Sequence, residues 1–413
     1  MALSTYQVRH DLNQIFNLWS SDVQRITKCR ILITNVISIW SANMIEILKV
    51  IVEFLAKNNV TLFVSRQIFS DLCMKILPWL PNPQSKLLAH FMQEKMKSRE
   101  VDFEYHISVI CHHLSYIYEG EENWKEAAYM LANIPMESYY RFSVDYELEL
   151  YMKIARLYME SNEPLLAGPF VKKASMTQTL TLNRDLHLNF KICVARMMDF
   201  RLKFIDAAQQ YYELSHYPSL SENERMTAVK NTIVCTILSL TDNIRTQLLK
   251  SLFKDERCKV YIKLSILEKL CVERMIKPRE IEQIEKMLLP HQRVNTNYGT
   301  TILIEAIAEH NINSIKKLYK CIKIESLGHL LELEPEIVKI VAGKMISGGR
   351  IKGSIDHTNG FVKFKMCRIP NESKQFQQKK IESLNIHLNR MKKLIPVNES
   401  EQNVRSGHTH TNT

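Results

Sequence analysis

Three sets of residues have types and spacings that invite chemistry. His408-Thr-His410 places two histidines one residue apart, as in the ligand set of a zinc hydrolase. Such a site also needs a more distant aspartate ligand, an open water position and a glutamate base. No aspartate follows this pair, which sits three residues from the last residue. His112-His113 falls on an expected helix, where neighbours diverge by about 100° and cannot hold one ion together; one is expected in the core and the other in solvent. Cys258 lies between Arg257 and Lys259, and flanking cations lower a thiol pKa. With no histidine placed to partner it, the expected role is structural. HExxH, GxGxxG, a Walker loop and GxSxG do not occur. We therefore assign no catalytic, cofactor-binding or metal-ligating residue and expect no enzyme.

The composition turns attention to helices. Of 413 residues, 46% are hydrophobic, and only 10 Gly and 12 Pro are available for the turns of an all-β fold. The nine cysteines are scattered and never spaced CxxC, which suits a reducing compartment. Met1 to Leu12 is mixed and polar, so no secretory signal is expected. The longest uncharged stretch, Ile31 to Ile45, contains polar residues and is too short for a membrane span. Of the net charge of +11, the segment from Gly343 to Thr413 carries +8, so the basic character is local.

A repeat decides the architecture. Trp124-Lys-Glu-Ala-Ala128, Pro164-Leu-Leu-Ala-Gly168 and Phe204-Ile-Asp-Ala-Ala208 set a bulky residue before a small pair at offsets of 40. Each is preceded at six residues by an apolar position: Tyr118, Tyr158 and Met198. The pattern predicts helix, short turn, helix, with the small pair letting the second helix approach the first closely. These residues are core packing, not a binding site. Apolar spacing from Met44 to Leu55 starts the solenoid near the N-terminus; helices follow over Met226 to Leu238, Leu264 to Met275 and Pro278 to Leu289.

After residue 290 the texture changes. Thr301 to His310, Ile315 to Tyr319 and Ser326 to Leu331 predict three short helices, and Pro335 to Ile346 a fourth that ends at Gly348-Gly349. Arg350 to Ile355 and Phe361 to Phe364 alternate around a turn-forming link, the pattern of a β-hairpin. The order is that of a winged helix. Beyond Pro370, Ile381, Leu384, Leu388 and Met391 recur at helical spacing on an amphipathic segment that needs a partner. The tail from Val397 is expected to be disordered.

The fold class is thus mainly α: a helical-repeat solenoid of the TPR or HEAT type, a winged-helix subdomain and a C-terminal helix. The expected boundaries are 1–196 for the solenoid, 197–365 for a domain with a helical part to 290 and a winged helix over 291–365, and 366–413 for the terminal helix and basic tail. This plan resembles the PCI-domain family of the proteasome lid, translation initiation factor three and the COP-nine signalosome. The strings Phe253-Lys-Asp-Glu-Arg-Cys258, Ile266-Leu-Glu-Lys269, Glu309-His-Asn311, Lys317-Leu-Tyr319 and Lys203-Phe-Ile-Asp-Ala-Ala-Gln209 are similar to the signalosome's subunit-four family. The first 60 residues match it poorly, and the loops at 131–143 and 174–187 differ.

The resemblance implies a non-catalytic arm of the assembly that removes a ubiquitin-like modifier from cullin-RING ubiquitin ligases. The implied partners are other signalosome subunits and the ligase, in cytoplasm and nucleus, without membrane or cofactor. Two interfaces are implied. One is the winged-helix edge, where strand addition between subunits would involve Ile351, Ile355, Phe361 and Phe364. The other is the C-terminal helix with Ile381, Leu384, Leu388 and Met391. Two other readings remain at this point: a scaffold of the lid or of initiation factor three, and nucleic-acid binding through Arg350, Lys352, Lys363, Lys365 and Arg368. Against the last, the helix from Pro335 exposes only Lys339 and Lys344 and has no Arg, Asn or Gln to read base edges.

Overall fold

The computed structural model of the chain describes residues 5–17, 21–39, 43–57, 60–134, 142–296, 299–356 and 358–365. These are mainly α-helical, with one small sheet, and divide into two compact units, Met1–Asn311 and Ile312–Thr413. His408, His410 and the interface residues Ile381, Leu384, Leu388 and Met391 lie outside the described residues.

The forty-residue repeat is built as three antiparallel helix pairs: Glu100–Gly120 with Trp124–Ala132, Val144–Glu160 with Pro164–Thr177, and Arg184–Phe200 with Phe204–Leu214. Ala127, Ala128, Ala167, Ala207 and Ala208 are fully buried, so the backbones meet where side chains are smallest. Each turn has the same hydrogen bonding. The amides of Asn123, Glu163 and Lys203 each donate to the carbonyl five residues back, at Tyr118, Tyr158 and Met198, all at 2.9 Å. The preceding residues, Glu122, Asn162 and Leu202, sit in the left-handed region at φ 59, 60 and 58°. This is a Schellman close, which satisfies carbonyls that the helix end would otherwise leave unpaired. The apolar positions singled out at 118, 158 and 198 are therefore also its acceptors.

Further helices stack at either end. Thr5–Asn17, Asp22–Ile39 and Met44–Leu55 precede the repeat, and Met44–Leu55 buries Ile47, Leu48, Ile51, Val52 and Leu55. One apolar core runs from Val8 to Met197, and another from Leu188 to Ile307. No described helix is long and apolar enough to cross a membrane.

Several expected boundaries need correction. The helix expected from Met226 starts at Glu222, because Ser221 and Glu224 form a capping box. Leu264–Val272 is shorter than expected: Glu273 turns left-handed and the amide of Arg274 closes on Lys269 O at 2.8 Å. Pro278–Glu285 ends before the expected Leu289. The expected helix over Ile315 to Tyr319 is absent. Ile302–Ile315 is one helix, with the Thr301 hydroxyl near its first turn, and the residues to Tyr319 are turns bonded back to Ile312, Ser314 and Ile315.

If the left-handed turn is strained at a β-carbon, Leu202→Gly should relieve about 1–2 kcal/mol of strain, offset by about 0.5–1 kcal/mol of added unfolded-state freedom. A small rise in the denaturation midpoint is expected. The same change at neighbouring Phe204, a buried helical position, should lower the midpoint by about 3 kcal/mol or more.

Candidate subunit-docking edge

The second unit holds the wing. β1 (Cys321–Lys323), β2 (Gly353–Asp356) and β3 (Phe361–Phe364) form an antiparallel sheet in the order β1-β3-β2. β1 is an addition to the expected hairpin. Its three residues alternate exposed, buried, exposed, and it pairs Ile322 with Val362. Helix Pro335–Ser347 leads in, burying Val338, Val341, Ala342 and Met345, while Ile337 and Ile340 are only half-buried. It ends at the expected glycines: Gly349 has φ 69° and the Arg350 amide donates to Met345 O at 2.9 Å.

The hairpin depends on two local features. A β-carbon on Gly353 would lie 2.5 Å from Lys363 O, so β2 approaches β3 closely only because position 353 is glycine. At the tip, Asp356 Oδ1 accepts from the Asn359 amide at 3.2 Å and Oδ2 from Lys363 Nζ at 3.3 Å. These bonds, led by the Asn359 amide, hold the Asp356 carboxyl below the usual carboxylate range.

The four residues expected to mark the edge occupy different places. Phe361 and Phe364 are on β3, the central strand, which is paired on both sides and presents no edge. Phe364 is buried; Phe361 is half-buried, with Lys323 Nζ 5.8 Å from its ring centre. Ile351 is buried just before β2. Ile355 alone lies on an outer strand, half-buried in the row Ile322, Val362, Ile355. Among the described residues the open edges belong to β1 and β2. The Lys365 amide donates to Lys352 O at 2.8 Å, and with alternating antiparallel pairing this turns the backbone of Gly353 and Ile355 away from β3. The edge is thus a backbone feature, which side-chain alternation on a two-strand hairpin could not identify.

The cations weighed for nucleic acid are partly engaged. Arg350 reaches Lys344 O at 3.4 Å, Lys363 bonds Asp356, and Lys339 lies 3.5 Å from Glu336.

Of the residues that invited chemistry, the described ones, His112, His113 and Cys258, are structural. His112 and His113 diverge as expected, but neither is solvated and neither is in the core. His112 Nε2 lies 2.6 Å from Tyr146 Oη; His113 Nε2 lies 2.7 Å from Ser85 Oγ, which itself donates to Leu77 O. His106 Nε2 donates to Arg66 O at 2.9 Å, and His90 Nε2 lies 3.0 Å from Tyr118 Oη. All four rings bridge neighbouring helices, and desolvation, the largest cause in each, pushes their pKa values down. Cys258 is buried and its thiol is pushed up to about 12 by burial. Arg257 does not activate it: its guanidinium pairs with Asp255 at 2.7 Å and donates to Ser215 O at 2.7 Å, closing the Phe204–Leu214 helix. Among the described residues no group of three or more His, Cys, Asp or Glu could hold a metal ion.

The strings singled out earlier make ties of the same kind. Asn311 accepts from the Ile276 amide at 2.9 Å and donates to its carbonyl at 3.0 Å, while His310 Nε2 donates to Arg274 O at 2.9 Å. They fasten the 273–277 linker to the helix that begins at Ile302. Known proteins place the chain in a lineage. The family described as PSMD12/CSN4, N-terminal, matches residues 12–223, and the PCI domain matches residues 281–366. The chain is similar to COP9 signalosome complex subunit 4 of Drosophila melanogaster, 38% identical over 91% of this chain and 93% of that one. The chain belongs to the COP9 signalosome complex subunit 4 family. Its likeness to the family members of Dictyostelium discoideum and Arabidopsis thaliana is 36% and 33%, over 83% of this chain and 86% and 87% of theirs. Family membership at this coverage sets aside the lid and initiation-factor readings, and it extends into the first 60 residues, where the match looked poor.

Two outcomes follow for this chain of the subunit 4 family. Gly353→Val should push β2 off β3, seen as faster amide exchange over residues 353–364 while the helices at 144–214 keep their protection. Depressed histidine pKa values mean that the unfolded state binds more protons below its ordinary value of about 6.5. Stability from His90, His106, His112 and His113 is therefore full above that pH and lost as pH falls through the depressed folded values. Denaturation midpoints should drop between about pH 6.5 and pH 5, and the drop should shrink in a His112→Gln, His113→Gln variant.

Proposed function

We propose that this chain is a non-catalytic scaffold subunit of the signalosome, supporting removal of a ubiquitin-like modifier from cullin-RING ubiquitin ligases through protein contacts. Its partners are other signalosome subunits and the ligase, and it works in the cytoplasm and nucleus without a cofactor. The observation that carries this reading is the family likeness, over 83–91% of the chain, to proteins named as subunits of that complex. Two features support it. His112, His113 and Cys258 are spent on packing and interhelix bonds, and among the described residues the wing presents two short open strand edges to which neighbouring subunits can add. The segment bearing Ile381, Leu384, Leu388 and Met391, outside the described residues, would supply a second docking element.

Affinity purification of the tagged full-length chain from its own cells, with mass spectrometry and a deneddylation assay on the eluate, tests the proposal. A stoichiometric signalosome with activity is expected; the chain recovered alone, or with lid or ribosomal proteins, overturns it. Replacing Leu384, Leu388 and Met391 by Asp should release the chain from the complex while its circular dichroism stays helical. Full assembly by that variant would remove the C-terminal segment as a docking element. The isolated chain should show no isopeptidase activity.

A further inference from the structure

Away from the wing, three first helices of successive layers, Val144–Glu160, Arg184–Phe200 and Glu222–Leu238, leave two neighbouring clefts between them. The first, about 420 Å³, is lined by Lys153, Arg156, Asn189 and Arg196; the second, about 370 Å³, by Arg196, Asn223 and Asn231, with Glu224 bonded to its own helix cap at Ser221. Ile192 and Arg196 line both and join them. The repeat explains the alignment: 156 and 196 are the same position in successive layers, 156 three residues from 153 and 196 four from 192 and seven from 189, on one helix face each.

The electrostatics of the first cleft favour an anion. Three cations face one lining acid, Glu149. Lys153 is held by Glu119 at 2.8 Å and Arg196 by Glu160 at 2.7 Å, both in partly exposed pairs that solvent screens. Arg156 is exposed, and among the described residues neither its side chain nor that of Asn189 makes a hydrogen bond or ion pair. The floor is apolar at Met152, Leu186 and Ile192. Asparagine amides offer both a donor and an acceptor, which matches a peptide backbone. A polyphosphate or nucleic acid suits the cleft less well, because Glu149, Glu119 and Glu160 dilute the cations and the floor is greasy.

We infer that these joined clefts bind an extended acidic segment of a partner protein, with carboxylates on Arg156 and Arg196 and apolar side chains on Ile192. Three helices at about 8–10 Å spacing span about 20 Å, which is about six residues of extended chain at 3.3 Å each. Arg156 takes a bidentate carboxylate, and a competing carboxylate can displace Glu160 from Arg196. The inference concerns a surface remote in sequence from the wing strands and holds whichever assembly the chain enters.

Fluorescence anisotropy of the full-length chain with a fluorescein-labelled peptide of sequence Asp-Leu-Glu-Asp-Leu-Glu tests it. Binding that weakens about tenfold in Arg156→Glu, and by less than about twofold in the remote charge reversal Lys259→Glu, is expected. Asn189→Ala, which leaves the charge unchanged, should also weaken it. Equal loss in Arg156→Glu and Lys259→Glu would reduce the effect to overall charge and overturn the inference. So would no binding at about 1 mM peptide, or tripolyphosphate displacing the peptide as well as unlabelled peptide does.

Discussion

The closeness with which the second helix of each pair lies against the first governs this molecule. Ala127 and Ala128, Ala167 with Gly168, and Ala207 and Ala208 contribute little apolar area themselves. Their effect is to remove side chains from the line of contact, so that larger neighbours such as Leu131, Leu157 and Leu214 interlock across it. Close approach demands an abrupt turn between the helices. The backbone supplies it by the left-handed residue at 122, 162 and 202, and none of these is glycine. A strain of about 1–2 kcal/mol per turn is tolerated because the geometry is over-determined by burial on both sides. A layer so built still leaves an apolar face, so each needs the next, and the cores run on from layer to layer.

That dependence explains what the sequence disclosed. The repeat was legible because its determinants are local and recur at one period: a bulky residue, a small pair and a lead-in apolar residue. The ends of helices were less so. Ser221 and Glu224 stand at capping-box spacing before the helix expected from Met226, and the signal was present but outweighed by the apolar periodicity that starts later. β1 was invisible for a different reason. Three residues have no strand character of their own; Cys321–Lys323 is a strand because β3 lies beside it, and that neighbour is about forty residues away in the chain. The edge residues fared accordingly. With two strands in view, Phe361 and Phe364 seemed marginal; with a third strand they become central.

The long-range polar ties were also beyond reach. Gln292 donates to both oxygens of buried Asp199 at 2.9 and 3.0 Å, with the His291 ring stacked 3.9 Å from Phe200. Arg245, almost wholly buried, donates to Thr236 O at 2.9 Å and Ile237 O at 3.4 Å; desolvation lowers its pKa to about 10, so it stays charged near neutrality. Arg257 on Ser215 and Asn311 on Ile276 act alike. Most of these groups end on a carbonyl or amide that a helix end or linker leaves without a partner, and leaving such a group buried and unmet costs about 1–3 kcal/mol. The strings Phe253 to Cys258 and Glu309 to Asn311 close particular helix ends and linkers, which no periodicity would require.

The same reasoning bears on how the wing can join neighbours. β1 and β2 have three and four residues, and alternation leaves only about two outward backbone groups of each kind per edge. At about 0.5–1.5 kcal/mol net per hydrogen bond, strand addition at one such edge falls well short of the roughly 8 kcal/mol of a micromolar contact. An edge this short could fix register and direction, but affinity would have to come from surface elsewhere on the chain. Short edges also protect the free subunit, since exposed Lys323 and Lys363 flank a strip too small to template aggregation. A scaffold that docked through such edges would join its neighbours firmly only through several contacts made together, the effective concentration supplied by the first contact making the others count.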